Sequence, residues 1–355
     1  MYRTSSPLHP RPHPSPLPLA GEGAKPFTRM SWGATLASLV LLGFSAASAQ
    51  AQTADKYPEK PIKFIVSFTA GGTTDILARE VAAQLTARWN ATVVVENKSG
   101  AAGNLGTEFV GRAAPDGYTI LVNSFGPIAI NPTLFKSLAV NPQKDLQPIA
   151  LIAEVPTVLV VPTIAGAPVI NSIGDLTKFA KANPDKVSYG STGIGTAAHM
   201  TGYLYSAKTG LNALHIPYKG AEATRDLVAG RLQYMFATVP SVTQLIKGGQ
   251  LKPLAVSTKI RSRGLPEVPT LKELGVDMAT GSWFGFFAPK GTPAAIVQKL
   301  NTAVNEILQS PEVNARLVAQ GAEPIPMSVD EFSKFVRTEY ETWAPIVKAS
   351  GAKAE

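Results

Sequence analysis

The stretch FIVSFTAGGTTDILAR, residues 64 to 79, holds the first residues whose types and spacing could do chemistry. A strand-like run enters Ala70-Gly71-Gly72, two threonines and Asp75 follow, and a helical pattern begins. Gly71 and Gly72 permit positive φ and let a ligand approach the main chain closely. Thr73 or Thr74 can cap the helix, with Asp75 in its first turn. Unpaired N–H groups at such a helix start favour an anion. No GKS or GKT follows, which excludes a Walker A loop, and GGTTDI lacks the G-x-G-x-x-G of a dinucleotide site. The same residues also suit a capped turn that holds nothing, and both readings stand at this point.

YGSTGIGTAAHM, residues 189 to 200, repeats the arrangement. A strand enters a loop of small residues, and a helix begins near Thr196. Gly190, Ser191, Thr192, Gly195 and Thr196 offer amides and hydroxyls. The glycine spacing is wrong for a nucleotide, and no G-x-S-x-G marks a nucleophile elbow. His199, one turn into the helix, reads more readily as a packed or capping residue than as a ligand. Two such loops, one per lobe, can converge on one ligand. Further loops follow the second and third strands, at Ala101-Ala102-Gly103-Asn104 and at Asn123-Ser124-Phe125-Gly126. Lys219, in HIPYKGAEATRDLVAGRL, reads as a solvated loop lysine. An enzyme would need a nucleophile, a base and an orienting group. Ser191 or Ser124 with His199 and Asp75 is the one set available, and no spacing supports it.

Composition narrows the chemistry further. The chain has 355 residues, 45% of them hydrophobic and 16% charged, and contains no cysteine. Disulfides, thiolate nucleophiles and cysteine zinc sites are therefore excluded. Of four histidines, His9 and His13 lie near the start, which leaves His199 and His215; there is no HExxH, and no metal or cofactor site is expected. Residues 1–27 are proline-rich, and Arg29 precedes the apolar run of SWGATLASLVLLGFSAASAQA. This has the layout of a secretory signal peptide cut after Ala49 or Ala51, with Met30 the expected start. The apolar run is too short to span a bilayer permanently. Loss of residues 1–49 removes four basic residues and one acidic one, so the net charge falls from +8 to +5. No basic run accompanies aromatics, so no nucleic-acid partner is expected. A mild positive field would help to gather small anions.

The elements that must position these loops alternate. Strands are expected over 63–68, 92–95 and 119–122, with helices at 76–89 and 105–114 between them. After Asn141 the cycle restarts, with Pro156 breaking an apolar run, and the chain ends in helices near 293–308, 312–319 and 329–348. Such alternation implies an α/β architecture with parallel strands joined by crossovers. It forms two lobes with a cleft between them, where loops at the carboxyl ends of the strands meet.

Several stretches in order carry a family resemblance: KYPEKPIKFIVSFTAGGTTDILAR, ENKSGAAGNLGTEFVGRAAPDGYTILV and NPTLF, then YGSTGIGTAAHM, HIPYKGAEATRDLVAGRLQYMF, PLAVSTKIRSRGLPEVPTLKELG and GFFAPKGTP. Over Tyr57 to Glu355 the chain resembles the tripartite tricarboxylate transporter substrate-binding family, the Bug periplasmic solute receptors. The resemblance implies a two-lobe fold of the type II periplasmic binding-protein class with a ligand cleft. Residues 57–156 and 286–355 would form lobe one and 157–285 lobe two, behind a leader over 1–49. It implies a monomeric receptor, not an enzyme, that needs no cofactor and no metal. Its partners would be a small organic carboxylate and a membrane permease driven by an ion gradient. The carboxylate would lie on Ala70, Gly71, Gly72 and Thr73, with Asp75 as the motif acid. It would also meet Gly190, Ser191, Thr192, Gly195, Thr196 and His199 from lobe two, with Ser124 nearby. The family commonly has an acid after Phe236, where this chain has Ala237, and a glutamate where it has Tyr203. Ala237 beside the ligand would favour an aromatic or otherwise amine-free carboxylate over an amino acid. A secreted enzyme and a secreted adhesive module remain the other classes in play.

Overall fold

The computed structural model describes residues 56–352 and 354. The leader expected over 1–49 lies outside the described residues. Strands β1 (Ile62–Val66), β2 (Val93–Asn97) and β3 (Thr119–Ser124) alternate with helices α1 (Thr73–Trp89) and α2 (Asn104–Gly111). β4 (Leu146–Val155) then leads through Pro156 into β5 (Thr157–Pro162). The second set follows as α3 (Ile173–Ala182), β6 (Ser188–Ser191), α4 (Ala197–Thr209), β7 (Leu214–Pro217), α5 (Glu222–Val228), β8 (Tyr234–Thr238), α6 (Val239–Lys247) and β9 (Leu251–Val256). The chain returns in β10 (Ser282–Pro289) and closes with α7 (Ala294–Gln309), α8 (Pro311–Ala319), β11 (Glu323–Pro324) and α9 (Val329–Ala349).

Two sheets result, ordered β11-β4-β10-β3-β1-β2 and β7-β6-β8-β5-β9. They are mixed, which corrects the expectation of parallel pairing throughout. β1 pairs parallel with β2 and β3, and β6 with β7 and β8. β10 runs antiparallel to β3 and β4, β11 to β4, and β5 to β8 and β9. The reason is how each strand is reached. A parallel neighbour needs a crossover, usually a helix. β5 and β10 instead enter from the other sheet, so no crossover sets their direction. β10 also begins at Ser282, so the first sheet takes up residues 282–285, which the sequence division gave to the second half.

The first sheet is covered on both faces, which is why its strands read as unbroken apolar runs. Phe64 and Val66 face α1 and α7, packing with Leu77, Val81, Leu85, Leu300 and Val304. Ile65 and Phe287 face the other way, against Phe332, Val336 and Trp343 of α9. The second sheet divides likewise: Leu159 and Phe236 pack with Leu176 of α3, while Val158 and Val160 pack with Leu227 of α5 and Val242 of α6. Where the chain passes between sheets, hydroxyls stitch the two passages together. Thr157 Oγ1 lies 2.7 Å from Ser257 Oγ, which donates to the Thr280 carbonyl at 2.9 Å.

Gly285 in β10 lets α9 approach the first sheet. A Cβ there would collide with the Phe332 ring and sit 3.0 Å from the Ala150 carbonyl oxygen. Gly285→Val should therefore cost about 1–3 kcal/mol, as overpacked cores do. A lower urea midpoint at unchanged m-value is the expected result; an unchanged midpoint would show that Phe332 moves aside freely.

Candidate ligand-binding site

The carboxyl ends of β1, β3, β6 and β8 open onto a cavity of about 250 Å³. This is where open α/β sheets place ligands. One wall is the β1–α1 turn, with Phe68, Thr69, Gly71, Gly72, Thr73 and Thr74. The wall opposite comes from the second sheet's half, with Thr192, Thr196, Gly220, Ala221, Thr238 and Ser241. The halves touch across it: Thr73 Oγ1 lies 2.7 Å from Thr238 Oγ1, and the Ala221 N–H donates to Thr69 Oγ1 at 3.2 Å.

Gly71 adopts φ +80°, the left-handed conformation that makes glycine the fitting residue at this turn. Neither Thr73 nor Thr74 caps α1. Its N-cap is Gly72, no side chain caps it, and the Thr73 hydroxyl is turned to Thr238 instead. First-turn amides of such a helix lack main-chain partners and carry the positive end of its dipole.

Asp75 does not line the cavity; it braces the turn from behind. Its carboxylate accepts from the Gly71 N–H, Arg79 Nε and Asn97 Nδ2, each at 3.0 Å. Burial works against ionisation of Asp75. The hydrogen bonds from Arg79, Gly71 and Asn97 outweigh it and hold the carboxyl below its usual range.

The β6–α4 turn divides in the same way. Thr192 and Thr196 face the cavity, while Gly190, Ser191, Gly195 and His199 stand behind them. Thr196 is the N-cap of α4 and donates its hydroxyl to the Gly193 carbonyl at 2.8 Å. His199 Nδ1 accepts the Gly195 N–H at 3.0 Å, and its ring stacks on that of His215 at 4.0 Å. Ser191 Oγ lies 2.7 Å from His215 Nε2 and donates to the Gly193 carbonyl at 2.9 Å. The set weighed from sequence, Ser191 or Ser124 with His199 and Asp75, is thus not assembled. Ser191 is fully buried and meets His215 rather than His199, and Asp75 is occupied in the other half.

Of the residues singled out from sequence, Gly71, Gly72, Thr73, Ser124, Thr192 and Thr196 are brought together at the cavity. Ala70 is exposed and off the wall. Ala237 is packed with Val158 and Val160 in the core and does not line the cavity, so it gives no ground for preferring an aromatic ligand. Lys219 is exposed and likewise off the wall. Residues that sequence reasoning missed complete the wall. Phe68, Met235 and Phe284 are apolar, Thr69, Thr224, Thr238, Ser241 and Ser282 bring hydroxyls, and Arg225 is the single ionisable lining residue. Positions at and just past the end of β8, at the carboxyl edge of its sheet, were the signal that could have found Thr238 and Ser241. Among the described residues, no three His, Asp or Glu side chains form a group that could hold a metal ion.

The stacked histidines give the fold a defined pH response. Burial lowers His199 from 6.5 to about 4; burial, and then the charge of His199, lower His215 to about 3. Below pH 6.5 the unfolded chain binds protons that the folded one does not, so stability falls as pH drops from 6.5 towards 4. The melting temperature should decline over that window, and His215→Gln should make the decline shallower. Identical slopes in the two proteins would show that the pair does not govern it.

Comparison with known proteins agrees with this architecture. Residues 77–352 match the family model of the tripartite tricarboxylate transporter family receptor, TctC. Protein BugT of Bordetella pertussis (strain Tohama I) is 37% identical over 305 residues, or 85% of this chain and 92% of that protein. The periplasmic binding protein BugD superposes with a TM-score of 0.79 at 36% identity, covering 84% of this chain and all of that one. Rpa4515 of R. palustris, solved with adipate, superposes with a TM-score of 0.80 at 34% identity, covering 84% of this chain and 99% of the other. The chain belongs to the tripartite tricarboxylate transporter receptor family, whose members are periplasmic binding receptors and not enzymes.

Proposed function

We propose that this protein captures a small organic carboxylate and passes it to the membrane permease of a tripartite tricarboxylate transporter. It would do so in the periplasm, after removal of the N-terminal signal peptide. The observation that carries the reading is the cavity itself. The uncapped first turn of α1 meets hydroxyls from the opposite half across one half-open cavity. The adipate held by the R. palustris relative supports a carboxylate as the occupant.

In this reading the carboxylate lies on the first amides of α1, at Thr73 and Thr74, beside the Gly71-Gly72 turn, with the hydroxyls of Ser124, Thr192 and Thr196 around it. Asp75, Ser191, Gly195 and His199 act one layer back by holding those groups in place. Phe68, Met235 and Phe284 accept a short apolar body. No buried cation is required, because neutral dipoles fixed in a water-poor site can carry the charge. Hydrogen bonds to a charged group contribute about 1.5–3 kcal/mol each. A few of them, less the cost of closure, give roughly micromolar affinity.

A thermal-shift screen against mono-, di- and tricarboxylates, aliphatic and aromatic, tests the reading. A true ligand at a hundredfold excess over Kd stabilises by about 2.7 kcal/mol, which should raise Tm by about 5 °C. Thr192→Trp, which would fill the cavity from the second wall, should abolish the shift. Absence of any shift across the panel, or an undiminished shift in Thr192→Trp, would overturn the assignment.

A further inference from the structure

The edge of the second sheet that lies away from the cavity carries an apolar loop. β5 runs antiparallel to β8, so its carboxyl end reaches the edge opposite the carboxyl end of β8 and the cavity. There the chain enters Ile164-Ala165-Gly166-Ala167-Pro168-Val169-Ile170, which has no polar side chain. Ile170 is buried with Leu176 and anchors the loop in the core. Ile164 is 47% exposed and Val169 84%, and a Cβ added to Gly166 would meet nothing within 4 Å, so the top of the loop stands clear of the fold. A lone aliphatic residue at a surface is ordinary. Here two share one loop with nothing polar between them.

Two further segments meet this loop. The Thr163 N–H donates to the Gln250 carbonyl at 3.2 Å, and Gly230 lies against Ile164, where a Cβ would come within 3.1 Å of Cγ2. Lys252 Nζ donates to Asn171 Oδ1 at 2.6 Å, at the loop's far end. Residues 163–171, 229–233 and 247–252 thus gather Arg231, Lys247 and Lys252 and contain no acid. Asp226 offsets Arg231 through a 2.7 Å ion pair. Asp175, just beyond the loop, is turned back onto the Asn171 N–H at 3.0 Å. Neither lysine has an acidic partner among the described residues. The surface is therefore apolar on the loop and cationic beside it.

An acidic membrane surface matches both features. Apolar side chains enter the boundary between headgroups and acyl chains, while lysines meet the acidic headgroups. A stable protein partner would need about 800 Å² of complementary surface with anchors seated in pockets, and a protruding loop with two aliphatic side chains offers too little. We propose that the 164–170 loop is a membrane-docking site: Ile164 and Val169 enter the surface of an acidic lipid layer, with Lys247 and Lys252 at headgroup level. The contact is reversible, as it is for a single lipid anchor. It uses the edge away from the cavity, so the cavity stays open to solute while the receptor is docked. The proposal does not depend on what the cavity binds.

Co-sedimentation with extruded vesicles tests this, with phosphatidylglycerol mixed into phosphatidylcholine and with phosphatidylcholine alone. Every variant carries the same N-terminus, so differences between variants report on the loop. The parent should bind the acidic vesicles more tightly, and raised salt should erode the difference. The double variant Ile164→Asp/Val169→Asp should lower the partition coefficient about tenfold or more, with the melting temperature unmoved because both side chains are exposed. Lys247→Gln and Lys252→Gln should each lower it about fivefold on acidic vesicles and leave the neutral ones unchanged. Val169→Trp should raise it, since tryptophan favours the headgroup level. Undiminished binding by Ile164→Asp/Val169→Asp, or equal binding of the parent to acidic and neutral vesicles, would overturn the proposal. Failure of the parent to bind either vesicle would overturn it too, and would leave the loop to a protein partner.

Discussion

The Asp75 carboxylate does for the cavity what no lining residue does: it fixes the shape of the wall. Three donors converge on it, from the Gly71 main chain, Arg79 and Asn97. The first belongs to the turn, the second to α1 and the third to β2, so one ionised group ties strand, turn and helix into a single piece. Its ionisation is protected by those same bonds. With the turn held, the first amides of α1 face outward, and the opposite half has a stationary surface to close upon. An acid that is not part of the cavity wall thereby shapes that wall, because its charge is met by main-chain and side-chain donors behind it.

The two halves follow one plan, with β5 reversed in the second sheet and β10 and β11 reversed in the first. In every sheet the strands joined by crossovers run in a common direction and bring their carboxyl ends to the same edge. The strand that arrives from the other sheet runs against them. The reversal of β5 and β10, the strands that cross between sheets, brings the two carboxyl edges to one cavity. Burial on both faces follows from the same plan, and it explains why β4, β5 and β10 are nearly free of polar residues.

Much of this was legible in the sequence, for physical reasons that can be named. Strands buried on both sides announce themselves as apolar runs, and α3 and β9 have the bounds their patterns suggest. The glycine turns at 71–72 and 190–196 were visible because few residues other than glycine suit them. Helix α6 was not, since it starts one residue beyond β8 with no capping side chain and only Pro240 near its first turn. Thr238 and Ser241 were lost with it. Strand direction at β5 and β10 was unreadable because it depends on which sheet the chain has just left. Ala237 misled: it is packed in the core and is no part of the cavity wall, although Met235, two residues earlier on the same strand, is. His199 was rightly suspected of packing, but its partner in the stack, His215, is sixteen residues away and no local pattern joins them.

The hydroxyl stitching between Thr157, Ser257 and Thr280 has a mechanical consequence. It sits at the neck, where β4 passes into β5 through the single residue Pro156 and where the return to β10 runs alongside. A neck so short and so tied leaves no slack for one half to slide past the other. It does allow a swing, with the neck as fulcrum and the cavity out along the lever. A few degrees of bending there would part Thr73 from Thr238, while every strand in both sheets kept its register.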